Sequence, residues 1–161
     1  MKRIYVNFKR FDVPDGLGGV NGLFAPQDWA AEMLRNTRAT VDLLAAHGAA
    51  CTFFFPEAHV LPAIVARGEH ALPRIGCQGV YFEDVAEGGN FGAFTAARPA
   101  AAAKALGCES VLIGHCEERR GYLRVLAEAG IQGSEAARAV NRLLAREVEC
   151  AARRGLPILY C

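Results

Sequence analysis

The stretch Leu112-Ile113-Gly114-His115-Cys116-Glu117-Glu118-Arg119-Arg120-Gly121-Tyr122 puts a histidine, two carboxylates and two guanidiniums directly after an apolar run. Side chains of these types exchange protons and hold negative charge, and the loop after a strand is where α/β proteins place such chemistry. The stretch therefore reads as an active-site loop. A Glu-Glu-Arg-Arg run also fits a salt-bridged surface segment of little energetic weight, so the rest of the chain has to decide.

A second polar group stands near the N-terminus, where Asn7 and Lys9 follow the apolar Ile4-Tyr5-Val6. Taken alone, Lys9 is a solvated strand-end lysine and Asn7 a turn former that bonds its own backbone. Cys116 offers a thiol beside His115, but no second histidine lies nearby in sequence to activate it. His47, His59 and His70 sit in or beside predicted helices and are expected at the surface.

The elements that position these groups alternate. A strand is predicted over Arg3 to Lys9, followed by the glycine-rich Asp15-Gly16-Leu17-Gly18-Gly19. A helix follows from about Asp28 to His47, with Trp29, Met33, Thr37, Val41 and Leu44 near one face and Gly48 as its stop. Cys51-Thr52-Phe53-Phe54-Phe55 reads as a strand buried on both faces. His59 to Gly68 makes a short helix with Pro62 in its first turn, where a missing N–H does little harm.

Arg74 to Gln78 is the third strand, and Gly79 to Arg98 is long enough for a functional or interacting loop. Pro99 opens a short helix that Gly107 ends, and Ser110 to Ile113 is the fourth strand. Ser134 is the expected N-cap of a helix on which Val140, Leu144, Val148 and Ala151 recur at helical spacing. Gly155 stops that helix, and Leu156 to Cys161 is the fifth strand. Five strands and four main helices in alternation argue for a parallel sheet with right-handed crossovers. An open sheet and an incomplete (β/α) barrel both satisfy that pattern.

At 161 residues, 52% hydrophobic and 22% charged, the chain is expected to form one domain over 1–161. A formal charge of +1 supplies no field for nucleic acid or an anionic membrane, and no apolar run is long enough to span a bilayer. A cytoplasmic protein is expected. The six cysteines form no Cys-x-x-Cys pair, so most are read as buried thiols rather than metal ligands.

Several stretches resemble triosephosphate isomerases, in the same order along the chain. Val6-Asn7-Phe8-Lys9 is similar to the Asn-Trp-Lys ending that family's first strand, and Ile75-Gly76-Cys77-Gln78-Gly79-Val80 to its Gly-Ala-Gln-Asn-Val third strand. Gly92-Ala93-Phe94-Thr95 resembles its Gly-Ala-Phe-Thr loop, Gly114 to Arg120 its Gly-His-Ser-Glu-Arg-Arg loop, and Leu156-Pro157-Ile158 the entry to its fifth strand.

The resemblance implies an incomplete TIM barrel of about five strands that binds a small phosphorylated sugar, with no cofactor and no metal. His115 would be the electrophile, Glu117 the accompanying carboxylate, and Asn7 and Lys9 substrate-facing residues. Thr95 would lie on the loop that reaches a partner subunit. An enediolate gathers negative charge, which a lysine and an imidazole N–H can hold.

The match departs at Phe8 for tryptophan, at Ala96-Ala97 for Gly-Glu, and at Glu118 where an ungapped alignment expects arginine, leaving Glu117 and Glu118 as alternatives. No residue matches the family's glutamate base, which lies beyond a fifth strand. The chain alone is therefore expected to be a poor isomerase that forms a homodimer or pairs with a complementary barrel half. A non-catalytic module that binds a phosphorylated ligand or assembles with a partner is the competing reading.

Overall fold

The structure is a computed structural model and describes residues 2–161. Its elements are β1 (Lys2–Asn7), α1 (Trp29–Ala46), β2 (Ala49–Phe55), α2 (Glu57–Arg67), β3 (Arg74–Cys77), α3 (Ala100–Ala105), β4 (Ser110–Ile113), α4 (Cys116–Glu128), α5 (Gly133–Arg153) and β5 (Ile158–Tyr160). The five strands form one sheet in sequential order, β1-β2-β3-β4-β5. Parallel registers pair Ile4 with Cys51, Phe53 with Ile75 and Val111 with Ile158.

The chain divides into two compact units. One holds the residues to Gln78 together with Ala105–Ser110; the other holds Gly79–Lys104 and Val111–Cys161. In the first, β2 is buried on both faces, as its unbroken apolar run requires. Phe53 and Phe55 point to one side, where they meet Phe8 at ring-centroid distances of 5.2 and 4.7 Å, and Trp29 closes the cluster 5.6 Å from Phe8. Phe54 points the other way, against Tyr5. The strand's period of two therefore sends its phenylalanines to opposite faces.

In the second unit α5 supplies an apolar stripe of Ala136, Val140, Leu144, Cys150 and Ala151, with arginines on its outer side. The segment after β3 is tied to this helix by Arg154, whose Nε donates to Asp84 at 2.5 Å and whose Nη2 donates to Val85 O at 2.6 Å. Asp84 also accepts the Ala101 N–H at the start of α3. One carboxylate thus fixes both the long segment and the helix after it.

Several expectations are corrected. The charged stretch after Gly114 is the start of a helix, not a loop: α4 makes five helices where four main ones were expected. His115 caps it and Glu117 and Glu118 occupy its first turn, where a helix favours negative charge, so the charged run suits helix initiation. α5 begins at Gly133, and Ser134 does not cap it; the Ser134 hydroxyl accepts from Arg138 instead.

α2 starts two residues earlier than expected, which puts Pro62 in its second turn rather than its first. On α1 the deeply buried residues are Trp29, Ala30, Leu34 and Val41, while Met33, Thr37 and Leu44 are half-buried. His59 is buried, not at the surface, because Asp12 accepts from its Nε2 at 2.9 Å and Trp29 packs 5.2 Å from its ring. His47 and His70 are exposed as expected.

Candidate functional site

In the first unit the chain leaves β1 at Asn7 and turns sharply, because Asn7 Oδ1 accepts the Lys9 N–H at 3.0 Å. That side-chain turn holds Lys9 at φ +48°, a left-handed conformation that costs a lysine about 1 kcal/mol or more. Gln78, just past β3, secures the turn. Its Nε2 lies 3.0 Å from Asn7 Oδ1, 3.1 Å from Lys9 O and 3.2 Å from Phe54 O. A carboxamide from the third strand therefore keeps the lysine of the first in a conformation it would not adopt alone.

In the second unit β4 ends at Gly114, whose φ of +80° is one that side-chain-bearing residues rarely adopt. A Cβ there would also stand 2.8 Å from Cys161 O and 2.9 Å from Arg119 Nη2. His115 follows as the N-cap of α4, and its Nδ1 accepts the Glu117 N–H at 3.3 Å. That acceptor role leaves the ring proton on Nε2, which makes the imidazole an N–H donor away from the helix.

Glu117 Oε2 lies 3.4 Å from His115 Nδ1 and its side chain is largely solvated. Glu118 turns inward, where Oε2 accepts the Gly114 N–H at 2.6 Å. The Cys116 Sγ is exposed, 4.0 Å from His115 Nδ1.

Arg119 braces the turn. Its Nε donates to Gly114 O at 2.7 Å, Nη2 to Cys161 O at 2.6 Å and Nη1 to Asn141 Oδ1 at 3.3 Å, and its guanidinium lies 5.3 Å from the centre of the Tyr160 ring. One side chain thus joins the ends of β4 and β5 to α5. Thr95 is exposed and lines a cleft of about 520 Å³ with Tyr81, Arg98, Glu118 and Tyr122.

Of the residues expected from sequence, Asn7 and Lys9 meet in the first unit, and His115 and Glu117 meet in the second. Gln78 stands in a recognised motif, but nothing in its spacing marks the bonds it makes. Glu147 could have been found: it occupies the apolar stripe of α5, three residues after Leu144 and four before Ala151, and is fully buried. Tyr122 donates to its Oε1 at 2.5 Å. Burial pushes the Glu147 carboxyl up to about 7.

Cys51, Cys77, Cys108 and Cys150 are buried thiols. The Cys77 thiol beside it, with burial, holds Cys108 well above the ordinary thiol range. No group of histidines, cysteines and carboxylates among the described residues is arranged to hold a metal ion.

Sequential parallel strands, with polar side chains just past the end of each of β1, β3 and β4, define a βα-repeat protein of the barrel type, in which chemistry sits at the C-terminal ends of strands. A family model described as triosephosphate isomerase matches residues 27–161, and the chain belongs to that family. Asn7 and Lys9 lie outside the matched residues.

The crystal structure of triosephosphate isomerase from Bartonella henselae superposes with a TM-score of 0.63 at 21% identity, over 99% of this chain and 50% of that one. The likeness establishes the fold, a partial TIM barrel, and this chain spans about half the length of that relative. No curated protein sequence matches the chain.

Proposed function

We propose that the chain, read as one (β/α) domain over residues 1–161, carries part of a triosephosphate isomerase site, with a phosphorylated triose as its substrate. In this reading Lys9 supplies positive charge to the phosphate or the developing enediolate, with Asn7 beside it. His115 donates Nε2–H to the two substrate oxygens, and Glu117 is the carboxylate that accompanies it.

The observation that carries the reading is the strained Lys9. A side-chain network from two strands maintains a costly backbone conformation at a cationic residue, and such strain accumulates where geometry serves function. The placement of His115 supports it: Nδ1 accepts the Glu117 N–H, so Nε2 is the ring nitrogen that can donate to an enediolate.

The dimer that the resemblance implies, with Thr95 facing a second copy, belongs to the same reading, as does a cytoplasmic setting. Among the described residues, no helix is long and apolar enough to cross a membrane.

Calorimetry with dihydroxyacetone phosphate tests binding by the chain itself, and a coupled assay for glyceraldehyde 3-phosphate tests turnover. We expect binding that Lys9→Met and His115→Ala each weaken by roughly tenfold or more. The same residues serve the competing reading, a module that binds a phosphorylated ligand without turning it over, and the coupled assay repeated with a complementary barrel half added separates the two. Absence of both binding and turnover would falsify the proposal.

A further inference from the structure

Glu147 and Glu118 face each other, so ionising both would set two negative charges side by side in a buried place. Glu147, on α5, has no exposed surface. Its Oε1 accepts from Tyr122 on α4, and its Oε2 meets no hydrogen-bond donor among the described residues. The carboxyl within hydrogen-bonding reach is that of Glu118, also on α4. A hydrogen bond between two carboxyl groups needs one proton between them.

The surroundings assign that proton. Glu118 accepts the Gly114 N–H at 2.6 Å and lies in the first turn of α4, where the helix end favours an anion. Glu147 has no such backbone donor and lies in the middle of its helix, cut off from water. The other charged or titratable groups facing this pair are Arg98, from the segment before α3, and Tyr81, which faces Tyr122 from the segment after β3. Burial holds the Tyr122 phenol above its ordinary range, so it stays a donor.

We propose that Glu147 is a positioning residue: as the neutral acid it donates to the Glu118 carboxylate and so keeps Glu118 on the Gly114 N–H, fixing the turn that presents His115. When Glu147 ionises, its proton passes to solvent, two carboxylates are left facing one another, and Glu118 withdraws from Gly114. The device rests on the isomerase reading only for what His115 then does. With burial holding the acid up to about 7, the turn is clamped below neutrality and released above it.

Nuclear magnetic resonance of the whole chain, with labelled glutamate carboxyls and backbone amides, tests this between about pH 5 and pH 9. We expect the Glu147 carboxyl to titrate near 7. The Gly114 amide should move with the same midpoint and lose roughly tenfold of its exchange protection beyond the intrinsic rate change. Glu147→Gln, whose amide can donate to Glu118 at every pH, should keep Gly114 protected throughout. Tyr122→Phe removes a bond that favours the ionised form and should move the midpoint upward.

A Glu147 that titrates in the ordinary carboxylate range, or a Gly114 amide indifferent to its titration, overturns the proposal. Binding of dihydroxyacetone phosphate, measured on the same samples, keeps the two readings apart. Coupled titration without binding upholds the clamp and rejects the isomerase reading; binding with an uncoupled Gly114 does the reverse.

Discussion

Asp12 and His59 show how a single pair can anchor a loop. Asp12 Oδ2 accepts from both His59 and Arg10, and Asn21 donates to Asp12 O and Phe24 O, so the segment after β1 is pinned to α2 through buried polar atoms. His59→Ala removes one of the two donors on Asp12 Oδ2 and leaves Arg10 in place, so it should lower unfolding free energy by about 2 kcal/mol in denaturant titration, from the lost hydrogen bond and ring packing. The double variant with Asp12→Ala should lose less than the sum of the singles, since the bond the two residues share is lost only once.

Arg119 is the equivalent anchor in the second unit. Its planar fork reaches Gly114 O, Cys161 O and Asn141 at once, which a lysine ammonium cannot reproduce. Arg119→Ala should cost about 2 kcal/mol in the same measurement, and Arg119→Lys should recover little of it. An Arg119→Lys variant of unchanged stability would show that these bonds add nothing.

Among the elements, α2 carries a local conflict. Pro62 lies in its second turn, so Ala58 O loses the N–H that a helix would otherwise supply. The helix persists because it buries His59, Val60 and Ala63, and tertiary packing outweighs propensity. Pro62→Ala should raise the stability of the chain by about 1 kcal/mol or more, read as an increase in denaturation midpoint at unchanged slope.

α4 is the opposite case, a helix with no buried residue that is held by its ends. Its first turn has the His115 cap and two carboxylates, and Arg119 and Tyr122 tie it inward. Its existence is legible in Leu123, Val125 and Leu126 only after the cap is recognised. Read as a string of charges, the same residues resemble a loop, and that is why the sequence pattern misleads here.

For the molecule as a whole, Glu147 sets a pH dependence of stability. Its folded-state value lies near 7 against an ordinary 4.5, so between them the folded protein keeps a proton that the unfolded chain releases. This contribution is full below about 4.5 and is lost as pH rises through about 7. Melting temperature should fall across that window and flatten in Glu147→Gln. Glu32 and Asp42 act with the opposite sign, because bonds to Arg35 and Arg38 lower them, but both stand on the solvent side of α1, where water screens such pairs, and their share is small.

The sheet raises a second question at this scale. Among the described residues β1 pairs only with β2, and β5 only with β4, so each leaves a row of backbone groups open to a further strand. Sedimentation at micromolar concentration should show self-association, and mixing with a complementary barrel half should replace it with a defined complex. A stable, compact monomer would sink the assembly part of the functional proposal.

The sequence by itself determined the order of the strands and of every α-helix except α4, because buried parallel strands and their punctuating glycines are local patterns. Cys51–Phe55, Gly114 and Gly155 needed no tertiary information to be read. The motif resemblance also put forward Asn7, Lys9 and His115 as candidates, since motif residues beside strand ends are visible in one dimension. Tertiary structure alone decided which polar atoms meet. Gln78 reaching Lys9 O, Asp12 reaching His59, and Glu147 sharing a proton with Glu118 span 69, 47 and 29 residues. Hydrogen bonds are directional and short, so contacts between such distant positions are set by how elements pack, and no periodicity in the chain encodes them.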